Sequence, residues 1–296
     1  MNNKLHPHQK EELADLAVAA MRERGLEPEF PKPAIEQLKT IDGPSAEDGA
    51  GIVDMTGLLW CSIDNDDSRD LDQLTASEVL PDGSVRILVA IADVDTLVEK
   101  ETPIDRHAQI NTTSVYTSAR IFPMLPEKLS TDFTSLNPHE ERVATVTEMV
   151  FAPDGEMLRS HITRARVHNK AKLAYDAVAA WIDGNGPLPE AADRVPGMDE
   201  QIRTQDSVAQ QLRARRREHG SLEFQTFQPR AEFQGDQVVA IKQQVQNRAR
   251  QLIEEFMVAT NGVTARFLAG KKRASIRRVV KSPERWARIA EVAAER

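Results

Sequence analysis

Apolar residues recur with helical spacing at Leu13, Leu16, Ala17, Ala20 and Met21, which predicts a helix over about 7–25 ending at Gly25. Pro28, Pro31 and Pro33 then interrupt the chain, and a second, short helix is expected over 33–38. Beyond Asp54 the period changes. Residues 85–92 and 143–151 are rich in Val and Ile, 157–168 reads as a further strand, and Pro-Asp-Gly turns at 81–83 and 153–155 bound them. The second and third of these strands should pair through the turn between them. Helical periodicity returns over about 170–183, 199–219, 248–269 and 283–295, interrupted by short strands near 222–227 and 238–242. The pattern predicts a mixed domain, strand-rich in its first half and helix-rich in its second, over 51–296. Residues 1–50 form a helical N-terminal segment, read either as helix-turn-helix-like or as a brace on the main domain.

Composition narrows the choices. With 40% hydrophobic and 28% charged residues, the 296-residue chain can bury a substantial core. Its longest apolar stretch, 87–92, is far too short to cross a bilayer, and the N-terminus carries no signal-peptide pattern. One cysteine, Cys61, excludes a disulfide framework and a cysteine-rich zinc module, and it reads as a small buried hydrophobe. The expectation is a cytoplasmic protein. The net charge of −8 is unevenly spread: residues 201–296 hold 19 basic against 10 acidic side chains, whereas 1–200 hold 19 against 36. An acidic part suited to cations thus precedes a basic part suited to a polyanion.

The stretch SIDNDDSRDLD (62–72) packs Asp64, Asp66, Asp67, Asp70 and Asp72 into nine residues behind Leu58, Leu59 and Trp60. Like charges this dense repel unless solvated or neutralised by a cation. Hard divalent ions take oxygen ligands, magnesium by way of one or two carboxylates, several waters and substrate phosphate. The spacing is not that of an EF-hand, and the seven histidines show no zinc-site spacing. Read without its surroundings, the cluster is equally an exposed acidic loop.

Its surroundings are VAIADV (89–94), TSVYTSARIFPMLPEKLS (113–130) and SLNPHEER (135–142), with weaker blocks KAKLAYDAVAAW, HGSLEF and LIEEFMVATNGVTARFL further on. In this order and spacing, over about 55–285, the chain resembles the catalytic (RNB) domain of the ribonuclease II family of 3′→5′ exoribonucleases. The resemblance implies an α+β fold with a largely antiparallel sheet surrounded by helices. It also implies hydrolysis of single-stranded RNA to nucleoside 5′-monophosphates, with magnesium, or manganese in its place, as cofactor. The family's four-aspartate site falls on Asp64, Asp70, Asp72 and Gln73, so the fourth position keeps an oxygen donor and loses a charge. Tyr116 and Phe224 match the base-stacking clamp, Tyr175 stands beside the scissile end, and Glu254 matches a carboxylate that contacts the terminal nucleotide. Arg213, Arg215, Arg216, Arg217, Arg248 and Arg250 are candidates for tracking phosphates, with Arg216 and Arg248 foremost. The N-terminal side shows no OB-like series of strands, and Ser275-Ile276-Arg277-Arg278 lies too early for the family's catalytic arginine segment and lacks its Pro. The domain is therefore expected to be incomplete at its C-terminal end. The alternatives are a catalytically weak or inactive RNA-binding or regulatory member, and another magnesium-dependent phosphohydrolase using the same carboxylates.

Overall fold

The computed structural model describes residues 9–47, 49, 51–221, 229–243, 245–276 and 285–294. Two helices, α1 (Gln9–Glu23) and α2 (Lys32–Leu38), lead into the strands β1 (Ile52–Asp54), β2 (Cys61–Asp64), β3 (Gln73–Val79) and β4 (Val85–Ala92). Helix α3 (Pro103–Asn111) and a small hairpin, β5 (Val115–Tyr116) with β6 (Ile121–Phe122), follow. Then come β7 (Glu141–Phe151), β8 (Met157–His168), β9 (Ala171–Ala174), α4 (Tyr175–Ile182), α5 (Glu190–Asp193) and α6 (Met198–Glu218). The hairpin β10 (Pro229–Gln234) with β11 (Gln237–Gln243), the long α7 (Arg248–Gly270) and α8 (Trp286–Ala294) complete the described chain.

Seven strands form one sheet in the order β1-β8-β7-β4-β3-β2-β9. The interior pairs β8-β7, β7-β4, β4-β3 and β3-β2 are antiparallel, and the two outermost pairs, β1-β8 and β2-β9, are parallel. The central strand β4 is apolar almost throughout because both of its faces are covered. Ile87 and Val89 point to one side, where Cys61, Ile63, Met149 and Phe151 meet Val178, Ile202, Leu252 and Phe256 of the helices. Leu88 and Ala90 point to the other side, among Trp60, Leu71, Leu74, Leu136, Val146 and Val167. Each fully buried side chain of this size contributes about 1.5–3 kcal/mol of transfer free energy, so this two-faced packing outweighs the weak pairing of the short strands.

Helix α6 is set against the sheet by polar as well as apolar contacts. Thr75 donates to Gln205 Oε1 (2.8 Å), the Ser77 amide donates to Gln201 Oε1 (3.0 Å), and Gln201 Nε2 donates to the Leu59 carbonyl (2.6 Å). These bonds satisfy both polar ends of Gln201 and the oxygen of Gln205, while Gln205 Nε2 stays buried without a partner. A third apolar cluster joins Ala34 of α2 to Ile104 of α3 and to Leu125, Leu129 and Phe133, so α2 packs on the strand-rich part of the chain. Helix α1 touches β11 and buries only Met21; Leu16 of its apolar stripe is 65% exposed.

The expected strands 85–92 and 157–168 coincide with β4 and β8, and 143–151 lies within β7, which pairs with β8 through the turn at Gly155. One expectation is corrected: 170–183 is not a helix throughout, because 171–174 form β9, hydrogen-bonded in parallel to β2, and α4 begins only at Tyr175. Strands β2, β3 and β10 were not distinguished by pattern alone. The strand expected over 222–227 lies outside the described residues, as do Phe224, Arg277 and Arg278.

Candidate active site

The acidic stretch is the connection between β2 and β3, at the end of the sheet where β9 gives way to α4. Asp64 closes β2, and its Oδ1 accepts from the Asn65 amide (2.6 Å) and from Ser68 Oγ (3.0 Å), which folds the loop back on itself. Two cations grip that loop from outside. Lys172 of β9 donates from Nζ to the carbonyls of Ser68 (2.7 Å) and Asp66 (3.2 Å), and Arg250 of α7 donates to Asn65 Oδ1 (2.8 Å). Farther on, Leu71 is 2% exposed and anchored among the second-face residues. Asp70 and Asp72, on either side of Leu71, both line the cavity described below. The Ala92 amide donates to the Asp72 carbonyl (3.0 Å), which carries the register of β3 and β4 into the loop.

Asp64, Asp70 and Asp72 line one cavity of about 860 Å³ together with Asn65, Asp67, Ser68, Tyr116 and Ser130. A smaller pocket of about 150 Å³ shares Asp70, Asp72, Tyr116 and Ser130 with it. Asp72 is open to the cavity, yet protein atoms crowd it on the remaining sides. Desolvation, and then the charges of Asp64 and Asp70, push its carboxyl up to about 6. Tyr116, 61% exposed, donates from its hydroxyl to Asp70 Oδ2. Burial of its ring edge and that carboxylate raise its phenol well above the ordinary value. At the cavity mouth Arg69 pairs with Glu127 (3.1 Å).

The donor set suits a hard cation. It offers carboxylate oxygens in a concave pocket whose mutual repulsion a cation would relieve. It is not a preassembled cage: among the described residues no three His, Cys, Asp or Glu side chains converge on one metal position. The arrangement matches an ion held by one or two carboxylates and completed by water and substrate oxygens.

The remaining expected residues divide. Tyr175 opens α4 with the Arg250 guanidinium 4.4 Å above its ring, and burial followed by the Asp64 charge pushes its phenol up to about 12. Gln73 is not brought to the cavity. It is 7% exposed on β3, and its Nε2 points to the Ile63 carbonyl at 3.4 Å, because neighbouring strand residues face opposite sides. Glu254 is exposed and accepts from Gln246 (2.9 Å). Arg216 faces Glu255 (3.3 Å) and Glu254 (3.9 Å), and Arg248 grips Asp206 with two bonds of 2.8 and 2.7 Å. Arg215 likewise pairs with Asp154 (3.2 Å). These arginines join α6 and α7 to each other and to the β7–β8 turn, whereas Arg250 reaches the acidic loop at Asn65. Lys172 and the 135–136 segment beside Leu71 were missed in the sequence. Their only signal was their place in the KAKLAY and SLNP blocks.

Fold and site together define a helix-backed, largely antiparallel domain with a carboxylate-lined pocket at one end of its sheet. A model of the RNB domain matches residues 52–294, and the chain belongs to the RNB-domain family. Ribonuclease R of Vibrio parahaemolyticus is 30% identical over 266 residues, covering 89% of this chain and 32% of that protein. Ribonuclease R of Escherichia coli K12 is 33% identical over 235 residues, covering 79% and 28%. The chain thus spans about a third of the length of these curated relatives. Among solved structures, Mycoplasma genitalium RNase R in complex with ribose-methylated single-stranded RNA superposes with a TM-score of 0.84 at 24% identity, over 96% of this chain and 44% of that one. At that identity the likeness concerns the fold.

Proposed function

We propose that this domain is a divalent-metal-dependent 3′→5′ exoribonuclease that removes nucleoside 5′-monophosphates from single-stranded RNA, acting in the cytoplasm. The observation that carries the reading is the convergence of Asp64, Asp70, Asp72 and an exposed tyrosine ring on one cavity of an RNB domain. Asp64, Asp70 and Asp72 would hold magnesium, or manganese in its place. The ion would neutralise charge on the scissile phosphate and make bound water a stronger nucleophile. The Tyr116 ring offers a stacking surface for a terminal base, with Phe224 and Tyr175 as further aromatic contacts. Glu254, Arg216 and Arg248 lie on the helices behind the site. Arg216 pairs with Glu255 and Glu254, and Arg248 with Asp206, which makes these arginines supports for the RNA path more than free phosphate ligands.

The test is digestion of labelled single-stranded RNA. With magnesium, nucleoside 5′-monophosphates accumulate and a 5′-labelled strand shortens from its 3′ end; EDTA stops both. Internal fragments, or magnesium-independent products, would refute the assignment. The placement of Gln73 favours one alternative, a catalytically weak RNA-binding member, because the fourth family position supplies neither charge nor a ligand facing the cavity. That reading expects a gel shift with single-stranded RNA and no products.

A further inference from the structure

Asp70 and Asp72 flank Leu71, and the backbone here is tied to one serine. The Leu71 amide donates to Ser135 Oγ (3.0 Å), and the Ser135 hydroxyl faces the Arg69 carbonyl (3.0 Å). The next residue completes a ladder rung, the Leu136 amide donating to the Leu71 carbonyl (2.8 Å). The hydroxyl carries a single proton, which it can give either to Arg69 or to Asn137 Oδ1, also at 3.0 Å. Asn137 in turn donates to the Thr131 carbonyl (3.3 Å). Ser135 is 2% exposed, between Leu71 at 2% and Leu136 at 1%, so loss of its hydroxyl would take the Leu71 amide's protein acceptor away. It lines the smaller pocket together with Asp70 and Asp72 and is not part of the wall of the larger cavity.

We propose that Ser135 is a positioning residue for the acidic site: its hydroxyl fixes the backbone between Asp70 and Asp72 and so sets the distance between their carboxylates. An ion held by so few protein carboxylates is sensitive to that distance, because displacing Asp70 or Asp72 removes a large share of its protein ligands. A misplacement of about 1 Å in such a site is enough to cost orders of magnitude in function. The Ser135 hydroxyl is engaged with the Leu71 amide, the Arg69 carbonyl and Asn137 Oδ1. It acts on the ion through the backbone of Leu71. The inference rests on the acidic cavity being the divalent-ion site of the proposed function.

The experiment titrates manganese into the full chain and reads bound ion by electron paramagnetic resonance, without RNA. In parallel, the affinity for a single-stranded oligonucleotide is measured in EDTA. Ser135→Ala is expected to raise the manganese midpoint about tenfold while oligonucleotide affinity stays within twofold, and Ser135→Thr, which keeps the hydroxyl, is expected to restore the midpoint. An unchanged midpoint in Ser135→Ala overturns the proposal, as does an equal loss of metal-free RNA affinity, which would mark a general structural role. Should Ser135→Ala fail to fold, Ser135→Thr decides: a midpoint far from wild type overturns the proposal and a wild-type midpoint supports it. A wild-type chain that binds manganese but releases no nucleotides refutes the nuclease reading and leaves the Ser135 proposal standing. A wild-type chain that binds no manganese ends both.

Discussion

Tyr116 allows the sharpest separation of the two tasks assigned to the cavity. Its ring is 61% exposed at the cavity wall while its hydroxyl is bonded to Asp70, so ring and hydroxyl can be removed one at a time. Stacking of a base on such a ring is worth about 1–3 kcal/mol. At about 1.4 kcal/mol per tenfold, Tyr116→Ala should weaken single-stranded RNA binding by about five- to a hundredfold. Tyr116→Phe keeps the stacking surface and should bind RNA within about twofold of wild type, yet it removes a donor from Asp70. A carboxylate released from a neutral donor has more of its charge available to a cation, so the Phe variant should reach half-maximal metal occupancy at lower magnesium. Fluorescence anisotropy with an oligonucleotide in EDTA reads the first effect, and a magnesium titration of the digestion rate reads the second. Unchanged RNA affinity in Tyr116→Ala would refute the stacking assignment. Equal losses of RNA affinity in both variants would show that the hydroxyl, not the ring, makes the contact.

Arg248→Ala leaves the carboxylate of Asp206, whose side chain is 8% exposed, without its bidentate partner. Breaking a fully buried pair costs 3–5 kcal/mol, and since Arg248 is 41% exposed, about 1–3 kcal/mol is expected in urea denaturation. A loss of RNA affinity with unchanged stability would instead restore Arg248 to the substrate path. The Asp72 carboxyl, lifted from 3.8 to about 6 by desolvation and by Asp64 and Asp70, must shed its proton to bind a cation. Manganese affinity should therefore rise from pH 5 to pH 7, with proton release greatest near pH 6. The folded value lies above the unfolded one, so the metal-free fold should lose stability as pH climbs from about 4 through 6, which denaturation at successive pH values checks. Cys61 is fully buried, and desolvation pushes its thiol up to about 12. Alkylation at pH 8 should be slow in the native protein and fast in urea, and rapid native labelling would contradict its place in the core.

Much of the fold was legible because local pattern and burial agree. Residues 85–92 are apolar on both faces, and a strand covered on both faces needs that composition. Gly25 and Gly155 adopt φ of 75° and 81°, the left-handed backbone that ends a helix or turns a hairpin with least strain in glycine. The segment 171–174 misled because Ala, Lys and Leu favour helices locally, while its pairing with β2, about 110 residues earlier, was invisible to periodicity. The α1 stripe did mark a helix, 9–23, but spacing alone does not say what such a face packs against: among the described residues Met21 is buried and Leu16 is 65% exposed. Within the site, the clustering of Asp64, Asp70 and Asp72 was legible because they are near in sequence. The partners of the arginines were not, because a charge pattern cannot tell an exposed phosphate ligand from one half of an ion pair. Asp206, which claims Arg248, lies 42 residues from it.

The way this chain tolerates five aspartates in nine residues explains why the pocket is suited to a cation. Asp64 is satisfied within its own loop by Asn65 and Ser68, and Asp70 by Tyr116, while Lys172 and Arg250 hold the loop by its carbonyls and an amide oxygen. None of these contacts reaches Asp72, whose raised carboxyl is the remaining electrostatic strain. A residue with aspartate's charge at position 73 would increase that strain. Gln73 instead buries a neutral amide against the Ile63 carbonyl, and on the proposed assignment three carboxylates would stand where the resemblance implies four. Fewer charges repel less in the empty site and attract a cation less strongly when it arrives. On the proposed function, ion affinity would then depend more on where Asp70 and Asp72 are held than on how many charges surround them, which would place weight on the buried segment around Leu71.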